Sequence, residues 1–132
     1  MRALGIEFAG DKLRYVLVVD HEDGIHVETG NVLTLGGTRD PLALRAFQAA
    51  VVAMMNATAP DLIAIKEKPE RGQLKAGAAA LKMEGITLAV STVPVDFVSG
   101  ARVNAVPEGP GLNNNQQPAY RTAIAALTRA VI

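Results

Sequence analysis

The first third of the chain is patterned as strands. Residues 3–9, ALGIEFA, and 12–19, KLRYVLVV, are apolar and β-branched, and Gly10-Asp11 between them is short enough to close a hairpin. DHEDG at 20–24 carries the Asp-Gly pair that turns the chain once more, so 25–35 reads as a third strand. Three sequential strands make an antiparallel meander, and helices must cover it. Then the period changes. Asp40 is a good N-cap with Pro41 at the first helical position, and Leu44, Phe47, Val51 and Met54 or Met55 fall on one stripe until Ala59-Pro60 stops the helix. LIAI at 62–65, apolar on both sides and preceded by a helix, reads as a central strand parallel to the first.

A second helix is predicted over 73–91, burying Leu74, Ala78, Leu81, Gly85 and Leu88, with Gly77 and Gly85 as points of close backbone packing. PVDFV at 94–98 reads as the last strand, and NAVPEGPGLNNNQQ at 104–117 as a flexible loop. Pro118 opens a final helix with Tyr120, Ile124, Leu127 and Val131 on its apolar stripe and Arg121, Thr122, Thr128 and Arg129 opposite. The predicted order is β-β-β-α-β-α-β-α: one α/β domain over residues 1–132, a mixed five-stranded sheet with helices on its faces.

Composition narrows the function classes. At 132 residues, 49% apolar and 20% charged, the chain is of single-domain size and globular. No apolar run approaches the ~20 residues of a membrane span, and Glu7 interrupts the first apolar stretch, so neither a membrane partner nor a signal peptide is expected and the cytoplasm is the default location. Thirteen basic and thirteen acidic residues cancel, so any nucleic-acid contact must be local. Without cysteine there is no disulfide, thiolate chemistry or Cys-based zinc site. Five aromatic residues leave little for a base-stacking platform. His21 and His26 sit at a turn and are not expected to bind metal.

The chemistry concentrates in two places. Glu7 lies between Ile6 and Phe8 in a strand expected to be central, where an ionised carboxylate without a partner costs several kcal/mol. In LIAIKEKPERGQLKAGAAALKMEG, residues 62–85, the second central strand ends abruptly on Lys66, Glu67 and Lys68. A parallel pairing of the two strands would set this triplet against Glu7, with Lys66 or Lys68 as its partner. Arg71, Lys75 and Lys82 follow and suggest a small basic surface for phosphate, although Glu70 and Glu84 are interspersed and an ordinary solvated helix face is the favoured reading for Lys75 and Lys82.

LGIEFAG at 4–10 is similar to the first-strand motif of RuvC-type Holliday-junction resolvases, where a Gly-Ile-Asp triplet supplies a metal-binding carboxylate. PDLIAIKEKPERGQLKAGAAALKMEG at 60–85 resembles the resolvase segment in which a strand ends in a catalytic Glu before a helix rich in Ala, Leu, Lys and Gly. The chain also resembles a family of short uncharacterised bacterial proteins with the same strand, charged triplet and helix. The resemblance implies a ribonuclease H-like fold, nucleic acid as partner, and a site where carboxylates hold two Mg²⁺ ions about 4 Å apart. It places metal-binding and catalytic roles on Glu7 and Glu67, and nucleic-acid contacts on Lys66, Lys68, Arg71, Lys75 and Lys82. The correspondence is incomplete: Lys66 stands where the central-strand Glu is expected, one residue before Glu67, and Thr122 and Ala119 stand where the last helix would supply two acids. The resemblance in fold therefore does not carry nuclease activity with it.

Two other readings share this fold. One is a non-catalytic interaction or structural protein, expected to be a homodimer. The other follows from LGIEFAGDKLRYVLVVD at 4–20, which is similar to the phosphate-loop hairpin of actin-like sugar kinases; those bind ATP between two related domains, and this length supplies one.

Overall fold

A computed structural model of the chain describes residues 1–68 and 77–130, the side chain of Ala130 excepted. Strands β1 (Arg2–Ala9), β2 (Lys12–His21) and β3 (Gly24–Thr34) form the expected meander. Its first turn is the two-residue Gly10-Asp11, with Gly10 at φ +61°, a left-handed conformation that glycine adopts without steric penalty. The tight turn pairs Ala9 with Lys12 and so fixes the register, setting Glu7 opposite Arg14.

Helix α1 (Pro41–Thr58) follows, started by the Asp40 carboxylate, which accepts from the Leu42 N–H at 3.0 Å, and ended at Ala59, whose φ of 43° takes it out of the helix. Asp40→Ala is expected to destabilise the protein by about 1 kcal/mol, because it leaves that first-turn donor to water alone. Urea unfolding should show a lower midpoint at an unchanged slope.

Strand β4 (Leu62–Lys66) lies parallel to β1, and β5 (Val95–Val98) lies parallel to β4, which gives the sheet order β3-β2-β1-β4-β5. Helix α2 (Ala78–Val90) joins β4 to β5, and a short helix α3 (Gly100–Asn104) precedes the last helix, α4 (Gln117–Ala130).

Alternation along the strands divides the core into two layers. Leu4, Ile6 and Phe8 with Leu13, Leu17, Ile63 and Ile65 meet Phe47, Val51 and Met54 of α1 and Ala80 and Met83 of α2. On the other face, Ala3, Val16 and Val18 meet Ala119, Ala123 and Leu127 of α4, while Ala64 and Val98 meet Val103, Ala125 and Ala126. Glu7, Arg14 and Lys66 share the α4 face, being two residues from Gly5, Val16 and Ala64 respectively.

Four local expectations are corrected. The buried face of α2 is Ala80, Met83 and Thr87, whereas Ala78, Gly85 and Leu88 are exposed; Leu74 lies outside the described residues. That helix is apolar nearly all round, so its periodicity does not select a side. Among the described residues, nothing lies within 4 Å of the place a Cβ would take on Gly77 or Gly85, so neither is a point of close packing there. The buried face of α4 is made of small residues, Ala119, Thr122, Ala123 and Ala126 with Leu127, while Tyr120 and Ile124 are half-buried. The cause is Gly5, onto which the helix backbone settles directly. Helix α3 is an addition to the predicted order, opened by the Ser99 hydroxyl accepting from the Arg102 N–H at 3.3 Å. Within 104–117, residues 105–116 are neither helix nor strand, and the Gln117 side chain holds Gly109 by accepting from its N–H at 2.7 Å and donating to its carbonyl at 2.9 Å.

Candidate functional site

Glu7 is buried, with 8% of its surface exposed, near the end of a strand that is paired on both sides. Its two carboxylate oxygens face two cations. Lys66 Nζ, carried by the last residue of β4, donates to Oε2 at 3.4 Å. Arg14 Nη1, from the directly opposed position of β2, stands 3.7 Å from Oε1, which makes no hydrogen bond among the described residues. Contacts at these distances supply about 4 kcal/mol each before desolvation at an effective dielectric near 20. The loss of hydration at a buried ion is several kcal/mol, so the pair of cations together offsets what one alone barely matches. Both cations retain solvent access, with side chains 30% and 27% exposed. One negative and two positive charges leave the cluster net positive.

The parallel register selects between the two lysines proposed as partners of Glu7. Ile6 pairs with Ile65, so the next step along both strands brings Glu7 beside Lys66 on the same face. Glu67 is the first residue past β4; it is exposed, and its backbone N–H donates to the Val98 carbonyl at 2.8 Å. Lys68 follows, half-buried. Lys82 is not brought to Glu7: it sits on α2 across the sheet, where its ammonium donates to the Thr38 carbonyl. Arg71 and Lys75 lie outside the described residues. Arg14 was absent from the sequence-based set, although the two-residue turn before it already dictates its pairing with Glu7.

The residues of α4 that face β1 bring no charge. Ala119 and Thr122 are fully buried, and the Thr122 hydroxyl donates to the Pro118 carbonyl of its own helix at 2.7 Å. A divalent ion approaching Glu7 would meet one carboxylate already engaged by two cations, where a hard cation requires several oxygen ligands and uncompensated negative charge. These residues do not fit a Mg²⁺ pair. Among the described residues no group of three or more His, Cys, Asp or Glu side chains is arranged to hold a metal ion. At the distant β2–β3 turn, His26 Nε2 lies 3.2 Å from Asp23 Oδ1, and that hydrogen bond, with the His26 charge, holds the Asp23 carboxyl below its usual range. No helix among the described residues is long and apolar enough to cross a membrane.

The chain belongs, over residues 1–126, to the family described as Protein of unknown function (DUF3010). No curated protein sequence matches it. Its structure is similar to that of Thermus thermophilus RuvC, with a TM-score of 0.79 at 16% identity over 99% of this chain and 96% of that one. The same enzyme in complex with a Holliday junction substrate gives a TM-score of 0.80 at 16% identity, covering 99% and 95% of the two chains. The yeast mitochondrial Holliday junction resolvase Ydc2 gives 0.57 at 13% identity over 79% of this chain and 52% of that one. Likeness at these identities shows the fold, which is ribonuclease H-like and of RuvC type.

Proposed function

We propose that this member of the DUF3010 family associates with nucleic acid through a site in which ion pairing has replaced metal binding. One observation carries the reading: Lys66, at the strand position where the resolvase resemblance calls for a metal-binding glutamate, puts its ammonium on the Glu7 carboxylate. A carboxylate there would attract a cation; an ammonium repels one and attracts phosphate. The net positive cluster of Glu7, Arg14 and Lys66, with Lys68, Arg71 and Lys75 following in the chain among Glu67 and Glu70, supports contact with a phosphodiester backbone. Neither Glu7 nor Glu67 is assigned a catalytic role, and Lys82, across the sheet, belongs to a separate surface. The extensive likeness to a resolvase solved with a Holliday junction makes branched DNA the first substrate class to try.

The test is binding and cleavage of a four-way DNA junction. The expected result is salt-sensitive binding without Mg²⁺-dependent cleavage. Glu7→Gln should retain binding, and Lys66→Ala should flatten the slope of log affinity against log salt by about one unit for one lost phosphate contact. Mg²⁺-dependent cleavage that disappears in Glu7→Gln would overturn the reading.

A second reading, a homodimeric interaction protein, is favoured by the edge of the sheet. β3 is an outer strand of eleven residues that exposes Ile25, Val27 and Val32. An open strand edge with apolar side chains is a surface that a second chain can pair with. A concentration-dependent dimer by sedimentation, with no junction binding at low salt, would select this reading.

A further inference from the structure

Beside the Glu7 cluster, on the same face of the sheet, lies a cleft of about 340 Å³ between the β2–β3 ladder and the loop that leads into α4. Its polar lining is Lys12 and Arg14 from β2, Asn31 from β3, and Asn113, Asn115 and Gln116 from the loop, and it includes no acidic side chain. The amides are oriented by their own backbone contacts. Asn31 Oδ1 accepts from the Val32 N–H at 2.9 Å, and Asn113 Oδ1 accepts from the Gln116 N–H at 3.0 Å. With its oxygen so committed, Asn113 keeps its NH₂ group, which only donates, for a ligand, whereas Asn31, one residue from Gly30 and Val32, projects from the opposite face of the sheet. Arg14 faces Glu7 at 3.7 Å, longer than a hydrogen bond, so its donors remain to be used. Lys12 donates to Thr34 Oγ1 at 3.0 Å, which places its ammonium on this face. Gly30 leaves room for the Gln116 amide to lie against the strand, since a Cβ there would come within 2.9 Å of Gln116 Nε2.

We infer that this cleft is a phosphate-binding subsite, taking one phosphate monoester or diester with its attached sugar. Two cations and the donor-only amide of Asn113 border a space whose described lining holds no carboxylate, with Glu7 and Asp11 each 3.7 Å from one of the cations at its margin, an arrangement that suits an anion with several acceptor oxygens. The volume is at the small end for ligand sites, suited to a single nucleotide unit rather than a larger cofactor. The subsite goes beyond the nucleic-acid reading, because free phosphate or a free mononucleotide satisfies the same donors. On a strand, Arg14 would link it to the Glu7 cluster, since that one guanidinium borders both.

The experiment is an NMR titration of the full chain with inorganic phosphate and with a nucleoside 5′-monophosphate, followed through the amide signals of residues 12–14, 30–32 and 113–116. Saturable shifts confined to these residues are expected, with affinity on the order of millimolar for so small a ligand. Asn113→Asp is the decisive variant: the carboxylate still accepts from the Gln116 N–H, so the turn persists, while a donor becomes an anion. It should weaken binding at least about tenfold, the effect of losing one hydrogen bond to a charged group. Lys12→Ala should weaken it as well, and Lys82→Ala, across the sheet, should leave it unchanged. No shift with either probe, or shifts indifferent to Asn113→Asp and Lys12→Ala, would overturn the subsite, whatever the chain does with junction DNA. Diester binding alone, seen with a dinucleotide but with neither probe, would likewise overturn it.

Discussion

Gly5→Ala is expected to destabilise the protein by roughly 3 kcal/mol or more, the upper range for overpacking a core. A Cβ at this position would fall 1.9 Å from the Ala119 carbonyl oxygen and 2.9 Å from both the Ala123 nitrogen and its Cβ. Two of these three atoms belong to the backbone of α4, so no rotamer change relieves the clash and the helix must lift from the sheet. Domain stabilities of about 5–15 kcal/mol make this a large fraction of the total. Gly85→Ala is the contrast. Among the described residues nothing lies within 4 Å of a Cβ at Gly85, which sits inside α2, so alanine there is expected to stabilise by about 0.5–1 kcal/mol through helix propensity. Chemical unfolding of the two variants side by side measures both, and equal effects would mean that α4 does not rest on Gly5.

Removing both partners of Glu7 should have an effect of similar size for an electrostatic reason. In the double variant Arg14→Met with Lys66→Met, a buried carboxylate loses both cations while the aliphatic bulk of their stems is largely kept. Stranding a buried charge costs about 3–5 kcal/mol, and the partial exposure of these two side chains brings the expectation to roughly 3 kcal/mol. Each single substitution should cost less than half as much, because the other cation remains. Adding Glu7→Gln to the double variant should recover most of the loss. Urea unfolding of the full set isolates the coupling, and additive single effects with no recovery would show that Glu7 does not depend on the pair.

What the sequence disclosed follows from where a pattern has a unique physical solution. The apolar, β-branched runs at 3–9 and 12–19, the turn residues that bound 25–35, and the signals at Asp40 and Ala59-Pro60 admit few alternatives, and the strands and α1 formed there. The juxtaposition of Glu7 and Lys66 was legible because a β-α-β connection requires parallel strands, and Glu7 needed a counter-charge. Arg14 was legible too, since Ala9 pairs with Lys12 across a two-residue turn and the register follows by counting. The faces of α2 and α4 were not. In α2 apolar residues surround the axis, and in α4 the contact is decided by small residues meeting Gly5, where large apolar side chains would prevent close approach. The cleft was hidden as well, because its lining joins positions 12–14, 30–32 and 113–116 that only the folded chain brings together.

The most direct test is a calorimetric titration of the wild-type chain and Glu7→Gln with Mg²⁺ and then Mn²⁺ at neutral pH. A carboxylate held by Arg14 and Lys66 predicts no saturable heat up to millimolar metal and no difference between the two proteins. A saturable site in the wild type that is lost in Glu7→Gln would contradict it.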